Sequence, residues 1–168
     1  SVCRLQDQDG CSLRAGSTVV AAMFWENRLY WGSVGDSVIY YIKKGQIVTL
    51  NKMHNYHLRI DEMLRRGELS PENEAAERAR GEALISFLGI GGLPRIETNQ
   101  QPILMEPGDV LLLASDGLYK SLDRQQIVAI VEESGRNMQI ASRRLCEEAH
   151  RLAVRKQDNT TVVAVMCR

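Results

Sequence analysis

Short apolar runs separated by turn residues fill the first fifty positions of the chain, a pattern typical of β-strands. It predicts strands at 17–24, 29–33, 38–43 and 46–50, with a turn at Glu26-Asn27. Lys44-Gly45 separates the last two runs. Glycine accepts the positive φ that a tight turn requires, so these two strands are expected to form a hairpin.

The spacing of apolar residues becomes helical after residue 55. A helix is predicted over 56–66, and Gly67 follows where a helix commonly ends in the left-handed conformation. Ser70-Pro71 then offers an N-cap and a proline in the first helical turn. The sequence that follows, PENEAAERAR, is polar on nearly all sides, so this second helix is expected to be exposed.

Strands and helices come in groups through the rest of the chain. Strands are predicted at 83–88, 101–105, 110–114 and 160–167, and helices at about 122–133 and 138–154. The apolar face of the first helix consists of Ile127, Ile130 and Val131. That of the second consists of Met138, Ala141, Leu145, Ala149 and Leu152. Antiparallel strand groups, then helices and a final strand, predict an α+β fold.

Composition and charge exclude several classes of protein. The length of 168 residues fits one domain over 1–168. The 21 Lys and Arg residues balance 21 Asp and Glu residues, which argues against a protein that holds nucleic acid by bulk charge. No apolar run approaches the roughly 18 residues of a membrane span, so no membrane partner is expected. Cys3, Cys11, Cys146 and Cys167 form no CxxC pair. Free thiols in a reducing cytoplasm are the simpler expectation, and a disulfide between two of them stays open.

Three aspartates lie next to strongly apolar predicted strands. Asp36 lies between two strands, Asp116 follows one directly, and Asp158 precedes the last one. Each motif alone is typical of a turn. If the three strands are neighbours, three carboxylates converge and repel one another unless a cation neutralises them. Hard divalent ions such as Mg²⁺ or Mn²⁺ suit such a site, and the turn and metal interpretations both stay open.

Two weaker candidates lie in and after the segment NKMHNYH. His54 and His57 have the spacing that places two imidazoles on one helical face, where they can bind a metal, but surface positions are the simpler expectation. Arg59, Arg65 and Arg66 can contact an anionic substrate, but a solvated basic face is the simpler expectation.

Five motifs occur in an order that carries a family resemblance. They are Gly16-Ser17-Thr18, Val34-Gly35-Asp36-Ser37, the segment 83–89, Pro107-Gly108-Asp109 before LLLASDGL, and Asp158-Asn159-Thr160-Thr161. In this order they resemble the C-terminal two-thirds of the metal-dependent Ser/Thr protein phosphatases of the type-2C family, in their bacterial form. The resemblance covers about residues 13–167.

The resemblance implies a sandwich of two antiparallel sheets flanked by helices. It implies that Asp116 and Asp158 are catalytic ligands of a dinuclear Mn²⁺ or Mg²⁺ centre, and that Asp36 helps to hold a third ion. It places a variable flap at about 51–83, beside a site where a metal-bridging water attacks the phosphorus of phosphoserine or phosphothreonine. A phosphorylated protein substrate and a Ser/Thr kinase partner follow from the same resemblance.

The chain departs from the family pattern at several places. The N-terminal acidic segments of the family are absent, including the Asp-Gly motif that bridges both metals, and Asp9-Gly10 lies too close to Gly16 to replace it. Met53 replaces an aspartate that is common in the family, and Lys120 stands where some members have an acidic ligand, which argues against a third metal. Little or no activity is therefore expected of the 168-residue chain alone.

Two further expectations follow from the missing N-terminal part. Exposed sheet edges are expected to pair with a second copy, as a dimer or a domain swap. The alternative to an enzyme is a non-catalytic phosphatase-like module that binds or regulates a phosphorylated partner.

Overall fold

The computed structural model of the chain describes residues 15–79, 83–91, 95–135, 137–152 and 159–168. These residues form two compact units. The two-helix unit contains the described residues up to 19, residues 33–36 and those within 52–97. The sheet unit contains 20–32, 37–51 and the described residues within 98–168.

The described residues contain eight strands and five helices. The strands are β1 (Val19–Trp25), β2 (Arg28–Val34), β3 (Val38–Lys43), β4 (Gln46–Thr49), β5 (Glu97–Thr98), β6 (Ile103–Leu104), β7 (Val110–Ala114) and β8 (Val162–Met166). The helices are α1 (Tyr56–Arg65), α2 (Pro71–Arg78), α3 (Asp116–Tyr119), α4 (Arg124–Glu133) and α5 (Met138–Arg151). One sheet has the order β1-β2-β5 with β6 also paired to β2, and the other has the order β4-β3-β7-β8. The predicted α+β fold with two antiparallel sheets is confirmed.

The predicted hairpin joins β3 and β4. Lys43 pairs with Gln46 across the turn, so the loop has two residues. Lys44 has φ 50° and Gly45 has φ 75°, and two left-handed residues in sequence suit the right-handed twist of the strands. The turn before β2 also contains a left-handed residue, since Glu26 has φ 54°.

Strands β3 and β7 lie in the middle of their sheet and are buried on both faces. Successive side chains of a strand point to opposite faces, so each strand contributes to two cores. On one face, a core joins this sheet to the other and contains Leu29, Trp31, Ile39, Tyr41, Met105 and Leu111. On the opposite face, a core joins it to helices and contains Val38, Tyr40, Ile42, Val110, Leu112, Ala114, Leu118, Leu122, Ile127, Val131, Leu145 and Ala149. The sheet unit is thus a sandwich covered by helices on one side.

The helices of the sheet unit pack by the predicted apolar faces. Ile127 and Val131 of α4 are buried, and Ile130 is half-buried against the same core. The buried residues of α5 are Ala141, Leu145 and Ala149, with Met138 and Leu152 packed partly against them. Helix α4 begins at a capping box, in which the Asp123 carboxylate accepts the Gln126 N–H at 2.8 Å and the Gln126 side chain accepts the Asp123 N–H at 2.9 Å.

Strand β1 lies at the edge of its sheet. It pairs with β2, and the described part of the chain places no strand on its other side. Val20 and Ala22 pack inward, whereas Met23 is 59% exposed and Trp25 is 66% exposed. Trp31 on the neighbouring β2 is only 9% exposed, and its Nε1 has no hydrogen-bond partner among the described residues. The outward side of β1 is therefore an exposed apolar surface.

Polar contacts organise the two-helix unit. The Asn55 side chain caps α1 by accepting the Leu58 N–H at 3.3 Å, and Gly67 has φ 69° just beyond the predicted end of this helix. Helix α2 begins after Ser70 with Pro71 and has no buried residue, as predicted for an exposed helix, although the Ser70 side chain makes no cap bond.

The strand predicted at 83–88 is wrong. This segment forms only two isolated bridges, Asn55 with Leu84 and Ser17 with Leu88. Between them, Ser86 is fully buried and its hydroxyl donates to the Arg95 carbonyl at 2.9 Å. Leu84 and Leu88 pair with two different parts of the chain rather than with one partner strand. The apolar run therefore does not form a continuous β-strand.

Several sequence predictions concern residues outside the described ones, among them Cys3, Asp9-Gly10, Cys11 and Asp158. Cys146 and Cys167 are free cysteines. Within the ranges that the structure describes, no helix has the length and apolar character needed to cross a bilayer.

Candidate metal centre

At one end of the β4-β3-β7-β8 sheet, two strands begin and a third ends. Val38 of β3 pairs with Ala114 of β7, and Ala114 pairs with Val162 of β8. Because neighbouring strands are antiparallel, β3 and β8 begin where β7 ends. The residues next to the strands at this edge are Ser37, Ser115 and Thr161.

Ser115 ties two of these strand ends together. Its backbone N–H donates to the Thr161 carbonyl at 3.1 Å. Its hydroxyl accepts the Thr161 N–H at 3.0 Å and donates to the Asn159 carbonyl at 3.1 Å. The end of β7 and the segment that leads into β8 are therefore joined by three hydrogen bonds.

Asp116 follows Ser115 as the first residue of α3. Its side chain is 18% exposed, and its Oδ2 accepts a hydrogen bond from the Lys120 ammonium at 2.7 Å. The Lys120 backbone N–H donates to the Asp116 carbonyl at 3.0 Å, so the short helix itself sets the distance between the two side chains. A carboxylate held in this way at the end of a buried strand is a rigidly placed anion.

The Asp116 carboxylate is chemically suited to a hard cation. A carboxylate offers two oxygens of the type that Mg²⁺ and Mn²⁺ bind, and Lys120 donates to Oδ2. The structure pairs this carboxylate with the positive charge of Lys120. The ammonium of Lys120 is at the same time a built-in competitor for a metal ion there.

Asp36 lies in the loop between β2 and β3 and is half-buried. Two side chains that the sequence did not single out for this role bind its neighbours. The Gly35 N–H donates to Nδ1 of His54 at 3.3 Å. On the other side, the Asn51 amide donates to the Ser37 carbonyl at 2.8 Å. The spacing of residues 51–54 gives no signal of these contacts, because each depends on a distant segment coming close.

The expectation of a surface position for His54 is wrong, since this residue is only 3% exposed. Burial lowers the pKa of the imidazole, and a buried imidazole is held mainly in its neutral form. His57 is half-buried on α1, near the Arg78 guanidinium. Arg59, Arg65 and Arg66 are exposed, as expected for a solvated basic face.

The convergence of the three predicted carboxylates stays a prediction. Asp36 belongs to the two-helix unit and Asp116 to the sheet unit, and Asp158 lies outside the described residues. Within the described ranges, no group of three or more His, Cys, Asp or Glu side chains is arranged to hold a metal ion. Asp158 directly precedes Asn159, whose carbonyl is bound by Ser115.

Comparison with known proteins adds a family and several relatives. The sequence profile described as protein phosphatase 2C matches residues 4–65 and 89–160, which is more than half of the chain. The "Serine/threonine phosphatase stp" of Listeria welshimeri is 30% identical over 155 residues, which cover 89% of this chain and 56% of that protein. The chain thus spans about half the length of this relative.

Solved structures give the same picture. The serine/threonine phosphatase PstP/Ppp of Mycobacterium tuberculosis superimposes with a TM-score of 0.70 at 26% identity, covering 90% of this chain and 60% of that chain. The catalytic domain of the serine/threonine phosphatase PstP in complex with two manganese ions gives a TM-score of 0.63 at 26% identity, covering 89% of this chain and 58% of that chain.

Proposed function

The chain belongs to the protein phosphatase 2C family, and from this membership we propose that the protein hydrolyses phosphoserine and phosphothreonine in other proteins with the help of bound Mn²⁺ or Mg²⁺. The observation that carries the proposal is the meeting of β3, β7 and β8 at one edge of the sheet, where Ser37 before β3 and Ser115 after β7 are sequence neighbours of Asp36 and Asp116. The similarity to a phosphatase solved with two manganese ions supports the choice of metal.

We propose that Asp116 and Asp158 bind the metal ions and that Asp36 contributes to a further ion. When bound, such ions lower the pKa of a coordinated water and stabilise charge on phosphoryl oxygens. Ser115 directly precedes Asp116, and its hydroxyl donates to the carbonyl of Asn159, the residue that follows Asp158 in the sequence. The ammonium of Lys120 donates to Oδ2 of Asp116 and therefore competes with a metal ion for that oxygen.

Replacement of Asp116 tests this proposal. The Asp116→Asn variant, in the protein at its full encoded length, is expected to lose Mn²⁺-stimulated hydrolysis of a phosphothreonine peptide by about a hundredfold or more, because a displaced metal ligand misplaces the reacting groups. The measurement is phosphate release at increasing Mn²⁺ concentration.

Asp123→Asn is the matched control for Asp116→Asn. It removes a carboxylate from the same unit at the N-cap of α4, where asparagine caps as well as aspartate does. The control is expected to keep its activity. Equal activity of Asp116→Asn and the wild type contradicts the proposed role of this carboxylate.

The substrate and partner follow from the same proposal. We propose a phosphorylated protein as substrate, a Ser/Thr kinase as the enzyme that supplies it, and residues 1–168 as part of one phosphatase domain. A cytoplasmic location is consistent with the free thiols of Cys146 and Cys167. None of the contacts described favours the alternative of a non-catalytic module.

We also propose that a second copy of the chain pairs with β1. Support comes from the edge position of this strand and from the exposed Met23 and Trp25, because an apolar edge strand is a template for pairing. Light scattering of the 168-residue chain is expected to give the mass of a dimer, and Met23→Lys is expected to lower it toward that of a monomer. A wild-type chain that stays monomeric at high concentration contradicts this.

A further inference from the structure

The short segment from Asn51 to His54 contains two buried polar side chains whose hydrogen bonds lie on either side of Asp36 in the sequence. Asn51 is 5% exposed and His54 is 3% exposed. His54 binds the residue before Asp36, and Asn51 binds the residue after it. Neither side chain belongs to the proposed set of metal ligands.

His54 uses both its side chain and its backbone to hold Gly35. Nδ1 accepts the Gly35 N–H at 3.3 Å, and the His54 N–H donates to the Gly35 carbonyl at 2.8 Å. Both backbone polar groups of Gly35 are thereby bound to one residue. The His54 carbonyl in turn accepts the Ile85 N–H at 2.9 Å, which fixes the backbone of the histidine itself. Since Nδ1 is the acceptor, the proton of the neutral ring lies on Nε2.

The backbone conformation at Gly35 is tightly constrained. Gly35 has φ +103°, a conformation that residues with a side chain rarely adopt. A Cβ at this position would lie 2.3 Å from Cγ2 of Thr18, so the loop is in close contact with a neighbouring segment. The route of the chain into Asp36 is therefore defined by Thr18 on one side and by His54 on the other.

Asn51 defines the route of the chain away from Asp36. Its Nδ2 donates to the Ser37 carbonyl at 2.8 Å, and its Oδ1 accepts the Ile39 N–H at 2.8 Å. A buried amide that satisfies two backbone groups of the same strand end fixes where the strand starts. The residues on both sides of Asp36 are thus bound by side chains.

Building on the proposed function, we propose that His54 is a positioning residue that, by holding Gly35, sets the place of the Asp36 carboxylate and so determines how tightly the protein binds the ion to which Asp36 contributes. Groups that hydrogen-bond to a metal ligand commonly change metal affinity by about 10- to 100-fold when they are lost, and His54 acts on the residue directly before the proposed ligand. The simpler interpretation is that His54 only stabilises the fold. The two interpretations predict different results for a variant that is as stable as the wild type. Its Kd for Mn²⁺ changes if His54 positions Asp36, and stays the same if His54 only stabilises the fold.

The test compares replacements at position 54 that differ in where they place an acceptor. Asparagine places its oxygen near the position of Nδ1, whereas glutamine places it farther out and leucine has none. The readout is Mn²⁺ binding, measured as loss of the free-ion signal in electron paramagnetic resonance, with thermal unfolding measured in parallel. The protein is used at its full encoded length.

We expect His54→Leu and His54→Gln to raise the Kd for Mn²⁺ by about tenfold or more, and His54→Asn to recover most of the wild-type affinity. His57→Leu is the control, because His57 is a half-buried histidine of the same unit whose ring lies near Arg78 rather than Gly35. This control is expected to leave the Kd unchanged. His54→Gln keeps a polar side chain, so the comparison with His54→Asn holds even if His54→Leu does not fold.

Each outcome separates this inference from the function on which it rests. Folded His54→Leu and His54→Gln variants with unchanged Mn²⁺ affinity overturn the inference while the proposed function stands. A lower unfolding temperature without a change in Kd overturns it as well, since it assigns His54 to stability alone. A wild-type protein that binds no Mn²⁺ and releases no phosphate overturns the proposed function, and the inference with it.

Discussion

The two compact units of this chain are held together in different ways. The sheet unit has two apolar cores, one between the sheets and one under the helices. The two-helix unit has little apolar interior between 52 and 91, where the buried residues that the structure describes are His54, Asn55, Ser86 and one apolar residue, Ile60. Many of its connections are backbone hydrogen bonds, side-chain hydrogen bonds and ion pairs.

Named contacts show how dense this polar network is. The Arg95 guanidinium binds the Glu62 carboxylate through two hydrogen bonds of 2.6 and 2.7 Å. Arg78 binds Glu74 at 2.8 Å and also pairs with Asp61. The Tyr56 hydroxyl donates to Glu77 at 2.7 Å and so connects α1 to α2.

These different interactions give the two units different contributions to stability and to the positions of individual residues. Apolar burial is non-directional and contributes most of the stability of a fold. Hydrogen bonds are directional and individually weak, and exposed ion pairs are screened by salt and lost at low pH. We therefore expect the sheet unit to determine the overall stability, and the two-helix unit to set fine positions, such as that of Gly35, at a modest energetic gain.

The largest effect is expected from an apolar deletion in the sheet unit. Leu112 is fully buried in the core under the helices, so Leu112→Ala is expected to lower the free energy of unfolding by about 2–5 kcal/mol. Urea denaturation followed by circular dichroism measures this loss. Leu104→Ala is the control, since Leu104 is 60% exposed and is expected to change stability by less than about 0.5 kcal/mol. A loss in Leu112→Ala as small as that in the control would contradict the expectation that the apolar core of the sheet unit determines the overall stability.

A smaller, pH-dependent effect is expected in the two-helix unit. Hydrogen bonds from Arg95 lower the pKa of Glu62. A depressed carboxyl pKa means that the pair stabilises the folded form above the ordinary pKa of glutamate and loses this contribution as the pH falls through the lower value. Glu62→Gln is therefore expected to weaken α1 by no more than about 1 kcal/mol near neutral pH, and by progressively less in acid.

Hydrogen exchange of the α1 amides measures this effect as the ratio of rates in variant and wild type at the same pH, in which the intrinsic rates cancel. Glu147→Gln is the matched control in the sheet unit, because Glu147 pairs with Arg143 on the exposed side of α5 and should leave α1 unchanged. If the ratio of exchange rates for Glu62→Gln stays constant as the pH is lowered, the ion pair with Arg95 is not the cause of the faster exchange.

The elements that the sequence predicted best are those with a continuous apolar run. The predicted bounds of β3 are those observed, because a strand buried on both faces has no polar interruption to blur its ends. The short elements β5 and α3 escaped prediction, since two and four residues carry no periodicity. At the candidate site, the sequence pointed to Asp36 and Asp116 through their motifs. It missed the contact of His54 with Gly35, because these two residues are 19 positions apart in the sequence.

The contrast between Trp25 and Trp31 has a practical consequence for spectroscopy. The chain has only these two tryptophans, one on the outward side of β1 and the other within the sandwich. Its ultraviolet emission therefore combines a red-shifted component from a hydrated indole with a blue-shifted component from a shielded one. A quencher dissolved in the buffer reaches the first and spares the second, so the residual light reports on the interior of the sandwich without any added dye.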